Sequence, residues 1–159
     1  MKSYQGEIGI KAPITVLWTF IQNAEAIGRS MPDVVEYHVD DANRLVAKVR
    51  VGVGAIRAVF DVSAEVTILP EPYQARLQMQ GGGMGSGFQM VSIMRIADAG
   101  ESEEVLLTWT ADVQVSGPLA TLGGRVLDKQ VKKITEQVFE DIRHEVLSGN
   151  ESADVEDGT

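Results

Sequence analysis

Apolar and polar residues alternate with a period of two along most of this chain, and twice the period lengthens to that of a helix. Lys2 to Ile10 reads as a strand with Tyr4, Ile8 and Ile10 on one face. Pro13 opens a helix, at a position where a missing N–H costs nothing, and Val16, Leu17, Phe20 and Ile21 give it an apolar stripe. A short second helix, Ala24 to Ser30, ends near Gly28 and the Met31-Pro32 break. Alternation then dominates. Leu45, Ala47, Val49 and Val51 share a face, followed after Gly52 and Gly54 by Phe60, Val62, Ala64 and Val66. Tyr73, Ala75, Leu77 and Met79 form the next set, and Phe88, Met90, Ser92, Met94 and Ile96 the one after it. Between these two lies a glycine-rich segment, Gly81 to Gly87. Following Ala99-Gly100, the run Val105, Leu107, Trp109, Ala111, Val113 and Val115 alternates almost without error.

Ser116-Gly117-Pro118 switches the period. Leu119, Leu122, Val126, Ile134, Val138, Ile142 and Val146 recur at helical spacing up to about Leu147, which predicts one helix roughly 45 Å long. Ser148-Gly149 is expected to stop it, leaving residues 148–159 as a disordered acidic tail behind a single domain of residues 1–147. The order β-αα-ββββββ-α with short connections predicts an α+β fold, a curved antiparallel sheet of about seven strands covered by one long C-terminal helix. A bent sheet and a straight helix cannot touch everywhere. The gap between them is the expected cavity.

Charge and composition narrow the partners. Twenty-three acidic residues against 14 basic give a net charge of −9 over 159 residues, which disfavours a phosphate backbone as partner. With no cysteine in the chain, disulfides, thiolate metal sites and cysteine nucleophiles are excluded. Met1 to Lys11 lacks the apolar core of a signal peptide, and nowhere do eighteen apolar residues follow one another. A cytoplasmic protein, peripheral at most to the membrane, is expected.

Catalytic chemistry is sparse. The glycine-rich segment lacks the Gly-Lys-Ser/Thr ending of a phosphate loop and leads into a strand, so a flexible hairpin lip beside the cavity is expected there. His38 and His144 are not spaced as metal ligands, and Asp61, Glu65 and Asp112 fall on outward positions. Only Tyr4, Tyr73 and Ser92 bring hydroxyls to the inward face. No catalytic residue, metal ligand or cofactor site is assigned.

The inward positions instead propose a binding set: Phe60, Met79, Met84, Phe88, Met90, Trp109, Leu119, Leu122, Gly123 and Val126. Methionine suits both irregular cores and adaptable apolar pockets. Gly123-Gly124 serves either close packing of the helix or room for a ligand beside it. Arg125, Lys129, Lys132 and Lys133 form a basic stripe flanked by Asp128, Glu136 and Glu140. It reads either as a solvated face with i,i+4 ion pairs or as a contact to anionic lipid.

Three pieces in this order resemble the G-subunit family of carbon monoxide dehydrogenase, within the START-like superfamily: Val51-Gly52-Val53-Gly54, the segment ending Gly85-Ser86-Gly87-Phe88, and Ala111 to Asp128 (ADVQVSGPLATLGGRVLD). The resemblance runs over nearly the whole chain to about Leu147. It implies a helix-grip fold and association with a molybdenum-containing dehydrogenase, its membrane attachment and its quinone acceptor. The sequence departs from many members at Met31-Pro32-Asp33, where a Pro-Gly pair is usual. Beside an apolar binder, a cofactor-free cyclase or hydrolase and a ligand-free assembly factor remain open.

Overall fold

The computed structural model describes residues 1–98 and 104–157, with side chains as far as Leu147. Seven strands form one antiparallel sheet: β1 (Lys2–Ile10), β2 (Val34–Val39), β3 (Leu45–Val53), β4 (Ile56–Ile68), β5 (Gln74–Gly83), β6 (Ser86–Asp98) and β7 (Val105–Ser116). Two short helices, α1 (Ile14–Gln22) and α2 (Ala24–Ser30), connect β1 to β2. A 3-10 helix (Gly117–Leu122) and then α3 (Gly124–Asp157) follow β7. The order across the sheet is β1-β7-β6-β5-β4-β3-β2, so the first strand pairs with the last and the others form a meander. The architecture is the helix-grip fold that the alternating pattern predicts. Ala99-Gly100 lies outside the described residues.

Hairpin chemistry sets the register. Val53 pairs with Ile56 across Gly54-Ala55, with Gly54 at φ 59°. Gly83 pairs with Ser86 across Met84-Gly85, whose φ values of 53° and 79° suit a two-residue turn matched to strand twist. The glycine-rich lip is therefore two ordered strand ends joined by a tight turn. Asp33, at φ 60°, holds the left-handed conformation that a glycine in a Pro-Gly pair would supply.

The inward residues condense into two apolar clusters. One joins Ile10, Leu17, Ile21, Ala75, Ile96, Val105 and Leu107 to Ile142 and Val146 of α3. The other joins Val53, Phe60 and Val62 to Leu119 of the 3-10 helix, with Met79, Phe88, Leu122 and Leu127 packed against it. Phe60 is 1% exposed, and its ring stacks on that of Phe88 at 6.3 Å. Gly81 makes this possible, since a Cβ there would lie 2.7 Å from the Phe88 ring.

The C-terminal region corrects the expectation of one unbroken helix. Gly123, at φ 87° and ψ 159°, separates the 3-10 helix from α3, a backbone conformation essentially confined to glycine. Leu127 packs on the second cluster, whereas Val126 (38% exposed) and Ile134 (44% exposed) turn outward from the predicted stripe. The backbone of α3 also continues to Asp157, past the Ser148-Gly149 stop. Each residue added to an anchored helix gains a hydrogen bond, and one glycine costs only about 1 kcal/mol.

Candidate functional site

Strand register places the inward side chains in rows. Val66, Leu77, Ser92, Ala111 and Tyr4 form one row across five strands. Ala64, Met79, Met90, Val113 and Lys2 form the row on one side of it, and Ile68, Ala75, Met94, Trp109 and Gly6 the row on the other. Leu77, Met90, Ser92, Trp109, Ala111 and Val113 face the helix side of the sheet but belong to neither apolar cluster. Several of them are only half-buried: Leu77, Met90, Trp109 and Val113. An inward position in mid-sheet that is still half accessible borders open space. The band between the two clusters is the candidate site.

The residues predicted for it divide into three groups. Phe60, Met79, Phe88, Leu119 and Leu122 form or pack against the second cluster and bound the band at that end. Met90 and Trp109 stand within the band, the Trp109 ring 5.7 Å from that of Phe139 on α3. Met84, Gly123 and Val126 are exposed instead. Met84 is at the hairpin tip, 79% exposed, because strand alternation stops at the turn. No side chain approaches within 4 Å of where a Gly123 Cβ would be, so packing does not explain this glycine, and its backbone conformation does.

Tyr4 spans the gap from sheet to helix. Its hydroxyl donates to Asp128 on α3 at 2.8 Å, and Lys2 Nζ meets the same carboxylate oxygen at 2.7 Å. Partial burial and the neighbouring Asp128 push the Tyr4 hydroxyl up to about 12. The hydrogen bonds from Lys2 and then Tyr4 hold the Asp128 carboxyl below its ordinary range. Strand alternation places Tyr4 inward, but Asp128 reads only as a flanking charge in the sequence, because no local pattern signals a partner 124 residues away. At the other end of α3, Ile142 and Val146 are buried and Arg143 donates to the Gly9 carbonyl at 3.1 Å. Packing therefore fixes the C-terminal half of the helix, and a polar tether holds the N-terminal half.

Tyr73, the third predicted hydroxyl, lies outside the band, its ring edge-on to Trp18 at 5.6 Å. Among the described residues no cluster of three or more His, Cys, Asp or Glu is disposed to hold a metal ion. A hollow of about 680 Å3 occupies the opposite, outward face of the sheet. Gln80, Gln89 and Gln114 line it together with Asp61, Ser63 and Ser116, and Val46, Val62 and Val115 add apolar surface. Phe88 borders it only from the far side, since its ring stacks on Phe60.

Residues 6–147 match the family of the carbon monoxide dehydrogenase G-subunit (CoxG). The chain belongs to this family. Comparison with curated proteins returned no match. Among solved structures, a conserved protein from Geobacillus kaustophilus is similar with a TM-score of 0.83 at 20% identity, covering 92% of this chain and 96% of that one. A START superfamily protein from Mycobacterium smegmatis gives 0.68 at 17% identity over 92% and 97% of the two chains. An aromatase/cyclase from Streptomyces gives 0.64 at 12% identity over 91% and 93%. These likenesses establish the START-like fold. Among the described residues no helix is long and apolar enough to cross a membrane.

Proposed function

We propose that this chain is a non-catalytic accessory protein that holds an apolar small molecule, a respiratory quinone or lipid, between the inner face of the sheet and α3. The carrying observation is the divided core: two apolar clusters with a half-accessible apolar band between them, under a helix whose near end is tethered by polar contacts. The CoxG family, named for a component of carbon monoxide dehydrogenase, supports association with that enzyme; a molybdenum centre there and a membrane quinone as its acceptor belong to the proposal. Denaturing extraction of purified protein followed by lipid mass spectrometry tests the reading, together with uptake of added menaquinone or ubiquinone. A co-purifying quinone or lipid, or saturable uptake, is expected. An empty extract combined with no uptake overturns it.

The basic stripe favours peripheral contact with the inner face of the cell membrane. Arg125, Lys129, Lys132 and Lys133 are exposed, and none forms an ion pair within 4 Å among the described residues, contrary to the i,i+4 pairing their spacing allows. Val126 and Ile134 lie exposed on the same half of the helix. Co-sedimentation with vesicles rich in anionic lipid should fall when the four cations are replaced by glutamine. Equal binding to neutral vesicles would count against this contact.

A cofactor-free cyclase or hydrolase needs polar groups converging in the band. The Tyr4 hydroxyl is engaged by Asp128, and Ser92 stands two strands away, roughly 10 Å by inter-strand spacing. The arrangement supports retention of a molecule over its conversion.

A further inference from the structure

Ser92 breaks the apolar lining of the band. It is 6% exposed, one of three buried polar residues among those described, with Ser30 and Ser86. The other two have evident partners: Ser30 Oγ donates to the Ala26 carbonyl at 2.9 Å, and Ser86 Oγ accepts from the Leu119 amide at 3.0 Å. Ser92 shows no side-chain hydrogen bond to the protein among the described residues. The sealed, unpartnered side-chain atom among them is Arg76 Nε, so the Ser92 oxygen opens onto the space before the sheet. That leaves its hydroxyl available to bond a molecule in the band, water included.

The surroundings give that hydroxyl a direction. Ser92 and its cross-strand neighbour Ala111 are small, and Leu77, Met90, Met94 and Trp109 stand around them. Two small residues ringed by long ones make a dip in the floor of the band. Its methionine walls adapt to the shape of what enters. Across the three adjoining rows the ionisable side chains are Tyr4 and Lys2, and Asp128 engages both. Among the described residues of these rows no cation is left without a carboxylate partner, which favours a neutral group on Ser92.

We infer that Ser92 is the polar anchor of the band, its hydroxyl bonded to a carbonyl or hydroxyl oxygen on the head of an otherwise apolar ligand. The inference rests on the binding function proposed above. It makes Ser92 a selector between oxygen-bearing molecules and plain hydrocarbons of the same shape.

Two probes of similar shape test it: menadione, which carries carbonyls, and methylnaphthalene, which carries none. Dissociation constants are measured by calorimetry on the full chain and on Ser92→Ala and Ser92→Thr. Loss of one neutral hydrogen bond weakens menadione about five- to tenfold in Ser92→Ala. Methylnaphthalene binding should hold or tighten, and Ser92→Thr, which keeps the hydroxyl, should restore menadione. Equal effects of Ser92→Ala on both probes overturn the anchor and leave the binding function standing. Failure of the unaltered chain to bind either probe overturns the binding function and the anchor with it.

Discussion

The Tyr4 hydroxyl donates a 2.8 Å hydrogen bond to the Asp128 carboxylate, tying an edge strand to the first turns of the final helix. With Lys2 on the same oxygen, this contact reinforces the packing of Leu127, while Val126 and Ile134 turn away from the sheet. Tyr4→Phe should therefore loosen one end of α3 alone. Hydrogen exchange read by mass spectrometry is expected to accelerate several-fold at residues 124–131 and to stay unchanged around Ile142 and Val146. Uniform acceleration along the helix would show that the tether is not local.

The same contact sets a pH response. The Tyr4 hydroxyl ionises near 10.0 in an open chain and at about 12 in the fold. Between those values the unfolded state has lost a proton that the native state keeps, so stability falls as pH rises through the window. The contribution is complete below 10.0 and gone above about 12. Asp128 acts in the opposite sense: its depressed carboxyl stabilises the fold above the ordinary carboxylate range and ceases to do so as pH falls through the native value. Denaturant midpoints stepped across the alkaline window should decline less in Tyr4→Phe than in the unaltered chain.

Gly123 is a conformational requirement, not a packing one. Nothing lies within 4 Å of a Cβ built there, yet its φ of 87° and ψ of 159° exclude other residues. Gly123→Ala should lose about 1–3 kcal/mol in urea unfolding. A gain in stability, the usual result of shortening the list of unfolded conformations, would mean that the break can close into continuous helix.

The alternating pattern assigns Phe60 and Met84 to one wall, and substitution should separate them sharply. Phe60→Ala removes a ring that is 1% exposed and stacked on Phe88, at a cost of about 3–5 kcal/mol. Met84→Ala, at a hairpin tip 79% exposed, should change stability by no more than about 0.5 kcal/mol. Thermal melts of the two variants provide the check.

These contrasts show which information is local. The run Val105 to Val115 identifies its own inward face, and β1 and β6 pair with it in the register that keeps Ile8, Leu107 and Ile96 together. Period two survives folding because a sheet offers each side chain only two directions. Helical phase is more fragile. Val138, Ile142 and Val146 keep to the predicted stripe, but Val126 and Ile134 of the same helix face outward, and only the structure reveals that Leu127 is the inward residue. Met84 fails for a related reason, since alternation carried into a turn has no face to point to. The Tyr4–Asp128 and Ser92 environments depend on strands and helices meeting across the whole chain, and no spacing encodes them.

The divided core also bears on how the chain unfolds. One sheet spans two apolar clusters, and each draws its cover from a different region: α1 and the far end of α3 for the first, the 3-10 helix and Leu127 at the near end of α3 for the second. Cooperativity between the halves is carried by the strands and by α3 when the band is empty. A molecule seated there touches both, so occupancy should sharpen the melting transition as well as raise its midpoint. The shape of the unfolding curve then reports whether the band is filled.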